Sequence, residues 1–131
     1  MNENTRAVIR STFAASNDGQ IHFGEAVRRL GAVEVESYHV DYRSGRTTCY
    51  LPDGTALDLV FPSVAEAIPD TFDAESVRAA IRGAQQGRVM YPEFKVLTRR
   101  AGCIGYTVWM TGRHVTYFGR KGDTHVEWFP D

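Results

Sequence analysis

Nowhere in these 131 residues is there an uninterrupted apolar run long enough to span a bilayer, and Met1-Asn2-Glu3-Asn4-Thr5-Arg6 contains no apolar leader core. A cytoplasmic chain with no membrane partner is therefore expected. Cysteine is scarce: Cys49 and Cys103 are the whole supply, and neither falls in a paired metal or redox spacing. Two buried free thiols are expected rather than a disulfide. No charge sign dominates, with 15 Lys and Arg against 16 Asp and Glu and a net charge of -1, which argues against a polybasic coat for nucleic acid. The chain also lacks a Gly-x-x-x-x-Gly-Lys phosphate loop, a Gly-x-Ser-x-Gly elbow, a His-Glu-x-x-His zinc motif and a dinucleotide fingerprint. Ser11, Ser16 and Ser37 have no evident base beside them. No cofactor and no metal is expected, and the chain reads as a binding protein more readily than as an enzyme.

What is present is a duplication. Residues 7–62 align with residues 75–130 without a gap at an offset of 68, with nine identities in 56 positions. Arg10 meets Arg78, Gly19 meets Gly87, Glu25 meets Glu93, Tyr38 meets Tyr106, Val40 meets Val108, Thr48 meets Thr116 and Gly54 meets Gly122. Phe61-Pro62 falls on Phe129-Pro130. These matches coincide with a shared pattern of glycine breaks and apolar periods. One domain of residues 1–131 is expected, built of two repeats joined by a linker at 63–74, because a chain of this length holds one core.

Each repeat reads as helix, helix and three strands. Asp73 is an N-cap for the helix that carries Val77, Ala80, Ile81 and Ala84 on one stripe; Ile9 and Phe13 do that work in the first copy. The second helices carry Phe23, Ala26, Val27 and Leu30, or Tyr91, Phe94, Leu97 and Ala101. Gly31 reads as the stop of one and Gly102 of the other, so the second copy is expected to run about a turn longer. Tyr38, Val40 and Tyr42 alternate with His39, Asp41 and Arg43, the aromatic set facing the core. A tight hairpin at Ser44-Gly45 leads to Thr47–Leu51, and one at Gly112-Arg113 leads to His114–Phe118. The third strands are 56–61 and 124–129, each closed by proline. The fold class is α+β: a duplicated helix-helix-meander with a pseudo-twofold and one shared core. Ser63-Val64-Ala65-Glu66 has the spacing of a capping box and reads as a short linking helix.

Three constellations could carry chemistry. Asp18, Gly19, Ile21 and Glu25 sit where a calcium loop has its fifth, sixth, eighth and twelfth positions, but Ala14 and Ser16 at its first and third positions, and Arg82 and Ala84 in the other copy, supply too few oxygens. His39 with Asp41, and His125 with Glu127, are His-x-acid pairs whose members share one strand face; convergence would give a metal site or an acid–base pair. His125 and Glu127 replace Leu57 and Leu59 of the first copy, so either the strand twists and turns Val126 and Trp128 inward or the two polar groups line a pocket; the twist is expected, because buried charges need partners. Trp109, between Thr107 and Thr111, reads as an outward indole marking a contact surface, with Arg113 and Arg120 as further binding candidates. The first repeat carries charge -2 and the second +5. Arg99, Arg100, Arg113, Arg120 and Lys121 thus offer a third reading, weak anion or nucleic-acid binding.

The strings Glu36-Ser37-Tyr38-His39-Val40-Asp41-Tyr42-Arg43, Tyr50-Leu51-Pro52-Asp53-Gly54, Ala101-Gly102-Cys103-Ile104-Gly105-Tyr106, Tyr117-Phe118-Gly119-Arg120 and Thr124-His125-Val126-Glu127-Trp128-Phe129-Pro130 span most of the chain. Together they resemble a small bacterial and prophage family of unknown function, the YbcV-like domain, whose members are often labelled phage envelope protein. The resemblance implies bacterial or prophage origin and carries no activity, cofactor or catalytic residue. The family pattern usually has histidine where Trp128 stands, so a histidine cluster on this strand is not implied. The leading expectation is a non-catalytic binding or assembly module with a protein or small-molecule partner, homodimerisation being open to it and nucleic acid not the expected partner. The alternative is a small metal protein or enzyme using His39, Asp41, His125 and Glu127.

Overall fold

In a computed structural model describing residues 1–63 and 66–130, the periodicities above become ten elements. They are α1 (Glu3–Asn17), α2 (Phe23–Ala32), β1 (Ser37–Asp41), β2 (Arg46–Tyr50), β3 (Ala56–Val60), α3 (Ala74–Gln85), α4 (Tyr91–Arg100), β4 (Cys103–Trp109), β5 (His114–Gly119) and β6 (Thr124–Trp128). The fold is α+β, with helix-helix-meander occurring twice in chain order. Asn2 caps α1 by accepting from the Thr5 amide, and Asp73 caps α3 by accepting from the Ser76 amide. Residues 64 and 65, on which a linking helix was expected, lie outside the described residues.

The six strands form one antiparallel sheet in the order β3-β2-β1-β4-β5-β6. Each meander keeps its own three strands, and the halves join through β1 and β4. In that ladder Tyr38 pairs with Val108, His39 with Thr107 and Val40 with Tyr106. His39 and Thr107 are separated by 68 positions, the offset of the duplication itself. The pseudo-twofold axis therefore passes between these two residues, and one side-chain hydrogen bond joins the central pair: His39 Nδ1 and Thr107 Oγ1 lie 2.8 Å apart.

Alternation then sorts the sheet into two faces. Tyr38, Val40, Cys49, Tyr106, Val108, Val115 and Tyr117 are buried together with Ile9, Phe13, Leu30, Val77, Ile81 and Phe94 of the helices. All four helices thus cover one face. Burying side chains of this size supplies roughly 1.5–3 kcal/mol each, and the buried cluster draws on both repeats. Inside this layer the tyrosine hydroxyls find partners: Tyr106 donates to the Tyr91 hydroxyl at 2.8 Å, and Tyr42 lies 2.9 Å from Thr98 Oγ1.

The helix ends and hairpins differ from expectation. α2 and α4 are both ten residues long, so the second is not longer. Gly31 lies inside α2, and the left-handed stop is Glu34 at φ 64°, which follows Val33; the Val35 amide closes back on the Leu30 carbonyl. The β1–β2 and β4–β5 connections are four-residue turns, Tyr42–Gly45 and Met110–Arg113, each closed by an amide-to-carbonyl bond spanning four residues. The loops around Gly19 and Gly87 approach the opposite repeat without forming a ladder: a Cβ on Gly19 would lie 3.4 Å from Pro92 Cδ, and one on Gly87 3.8 Å from His22 Cε1.

Candidate functional site: the open sheet face and the linker clamp

Among the described residues no helix covers the second face of the sheet. Along one row, Tyr50, Ser37, Trp109, His114 and Trp128 stand side by side in register. The ring of His114 lies 6.3 Å from that of Trp109 and 4.8 Å from that of Trp128. The next row is Thr48, His39, Thr107, Thr116 and Val126. Its hydroxyls bond laterally: Thr48 donates to Asp58 at 2.6 Å, and the Trp109 indole N–H donates to Thr116 at 3.3 Å. Trp109 is 41% exposed, Val126 45% and Trp128 65%. Large apolar side chains this open, close together on one face, mark contact surfaces more often than isolated ones do.

The expected inward twist of β6 does not occur. Val126 and Trp128 stay on the open face, while His125 and Glu127 share the helix-covered face with Tyr117 and Val115. These two polar groups are tolerated there because β6 is the sheet edge and α3 supplies a partner: Arg82 Nη1 donates to Glu127 Oε2 at 2.7 Å, and His125 Nε2 lies 3.3 Å from Glu127 Oε1. Burial works against the Glu127 charge, but the hydrogen bonds from Arg82 and His125 outweigh it and hold the carboxyl below its ordinary value.

The two His-x-acid pairs consequently do not meet. His39 and Asp41 are on the open face, His125 and Glu127 on the covered one, with the sheet between them. Each member of the first pair is occupied structurally, His39 by Thr107 and Asp41 by accepting from the Arg43 amide at 2.9 Å. Among the described residues no three His, Cys, Asp or Glu side chains gather as a metal site would need. Glu25, the last position of the calcium-like loop, is held by Arg28 and Arg29 at 2.6 and 2.7 Å, which draw its pKa down to about 2.

Several cations of the basic second repeat bond the linker. Arg99 is only 7% exposed and donates to the carbonyls of Tyr42 and Glu66 at 3.0 and 2.9 Å. Arg120 donates to the Ile68 carbonyl at 2.9 Å, Arg100 faces the Glu66 carboxylate at 3.8 Å, and Lys121 faces Asp70 at 3.7 Å. Four of the five cations thus clamp the linker, whose Ile68 is buried. Trp109 and Arg113 share one end of β5, and Arg120 lies beyond its other end, so the three binding candidates do not converge. The clamp is invisible in sequence because an arginine bonding a carbonyl reads like one facing water.

A duplicated meander with four helices on one face and an aromatic row on the other defines a two-layer α+β domain assembled from two equivalent units. The chain belongs to the family described as Protein of unknown function (DUF1398), whose model matches residues 11–127. It is similar to uncharacterised proteins of Mycobacterium bovis and Mycobacterium tuberculosis, 33% identical over 113 residues, the match covering 84% of this chain and 66% of theirs. The chain spans about two thirds of the length of these relatives. Among the described residues no helix is long and apolar enough to cross a membrane.

Proposed function

We propose that this domain is a non-catalytic assembly module whose working surface is the open sheet face, with a second copy of the fold as its partner. The observation that supports it is the row Tyr50, Trp109, His114 and Trp128, flanked by Val126: three exposed aromatic rings and an imidazole held in register on the sheet. Aromatic side chains are enriched at the centres of interfaces because they bury large areas at small entropic cost. A cytoplasmic setting in bacteria and a prophage lineage, as the YbcV-like resemblance implies, fit a small module of this kind and belong to the same proposal.

The test is an amide-resolved NMR concentration series. Shifts that grow with concentration along β4, β5 and β6 and vanish in Trp128→Asp support assembly through this face. A spectrum independent of concentration up to millimolar protein sinks it.

A further inference from the structure

The duplication supplies an internal control for a cleft at the end of α2. It has a volume of about 530 Å³, within the range of small-ligand sites. Glu34 and Glu36 line it from the α2–β1 connection, Arg113 from the β4–β5 turn, Arg28 from α2 with its guanidinium already bonded to Glu25, and Val35, Met110 and Gly31 complete the lining. The equivalent place in the other repeat, 68 residues on, is closed by the linker. There Arg99 and Arg120 hold the linker carbonyls, whereas their equivalents around the cleft are Gly31 and Pro52.

The exchange also runs the other way. Glu34 and Arg113 have positive φ, 64° and 59°, and are the two non-glycine residues that do so among the described residues. Their equivalents are Gly102 and Gly45, at 91° and 74°. Glycine is needed there, since a Cβ would stand 2.1 Å from the Thr71 carbonyl oxygen at one and 2.2 Å from that of Phe61 at the other. Around the cleft the chain instead places side chains in a conformation that disfavours a Cβ. Both of these residues face the same cleft, and they carry opposite charges. Among the described residues Glu34, Glu36 and Arg113 enter no ion pair; the Arg113 guanidinium rests 5.5 Å from the centre of the Phe129 ring.

We propose that this cleft binds a short peptide with free termini. Its ammonium is matched by Glu34 and Glu36, its carboxylate by Arg113, and an aliphatic side chain by Val35 and Met110, in the space that Gly31 leaves where the other repeat has Arg99. Two considerations select this class. Carboxylates from one segment and a guanidinium from another complement a zwitterion, where a ligand of single charge leaves one side unmatched. The occupant of the equivalent place is itself a stretch of peptide, whose Ile68 is buried. This site is separate from the sheet face and stands whether or not the chain assembles through it.

The experiment is calorimetric titration of the intact chain with trileucine and with its acetylated, amidated form, repeated on Glu34→Gly and Arg113→Gly. Trileucine is expected to bind saturably, with the capped form and each glycine variant weaker by at least about tenfold. Because glycine relaxes the backbone at both positions, the melting temperature of each variant is expected to hold or rise. Equal affinity for the capped form, unchanged affinity in the variants, no saturable heat, or a lowered melting temperature would each overturn the proposal.

Discussion

Cys49 and Cys103 show how position alone sets reactivity. Both are buried and free, and burial pushes their thiols up to about 12 and about 11. Only the thiolate attacks a disulfide reagent. At pH 8 the folded protein is therefore expected to label at least roughly a hundredfold more slowly than the same chain in urea, measured by release of a chromogenic thiol; rapid labelling of either residue would contradict its placement. At Glu127 the outcome depends on pH. Its folded-state pKa is depressed, so the stabilisation is present above the ordinary carboxylate range and is lost as pH falls through the folded value. Arg82 is nearly half exposed, and solvent screening limits the pair to about 1 kcal/mol. Glu127→Gln should lower the free energy of urea unfolding at pH 7 by that amount and leave it unchanged once the pH is low enough to protonate the native carboxyl. The same residue shows where periodicity misleads. A His-x-Glu pair in place of two leucines reads as an outward face, yet an edge strand with an arginine overhead keeps it on the covered side.

At the scale of elements, the alternation of Tyr38, Val40, Tyr106 and Val108 marks the buried face in the sequence itself, and the helix stripes mark theirs, because both follow from a repeat distance along the chain. The clamp did not show, since it joins side chains of α4 and the β5–β6 turn to main-chain carbonyls far away in sequence. Nor did the α2 stop, because a glutamate in the left-handed region has no signature of its own. What could have shown the α2 stop was the duplication itself, which sets Glu34 against Gly102. Arg99 gives the clamp a measurable strength: Arg99→Ala leaves the Tyr42 and Glu66 carbonyls without their donor and opens the Ile68 contact, and is expected to cost about 2–4 kcal/mol in urea unfolding. Arg99→Lys should recover part of this, since a single ammonium does not bridge as a guanidinium does. Faster proteolysis within residues 62–72 should accompany the loss.

For the whole molecule, the central β1–β4 pair makes each repeat depend on the other. Residues 7–62 alone would leave β1 as an uncovered edge and half of the shared core open. Expressed separately, that segment is expected to show no cooperative thermal transition as a monomer, by circular dichroism with sedimentation to establish its mass. If it pairs with itself instead, symmetry places His39 opposite His39. A monomeric half with a sharp transition would mean that the repeats are autonomous. Substitution on the open face should behave differently: Trp128→Asp is expected to change stability by no more than about 0.5 kcal/mol, because the indole is mostly in water already.

Joining two identical units end to end creates two matching notches but a single junction between them. Whatever the junction plugs, its twin must be left bare, so a tandem array of two is born lopsided before any substitution accumulates. In this chain the stretch around Ile68 is the plug, and the unplugged twin is where divergence was free to write charge.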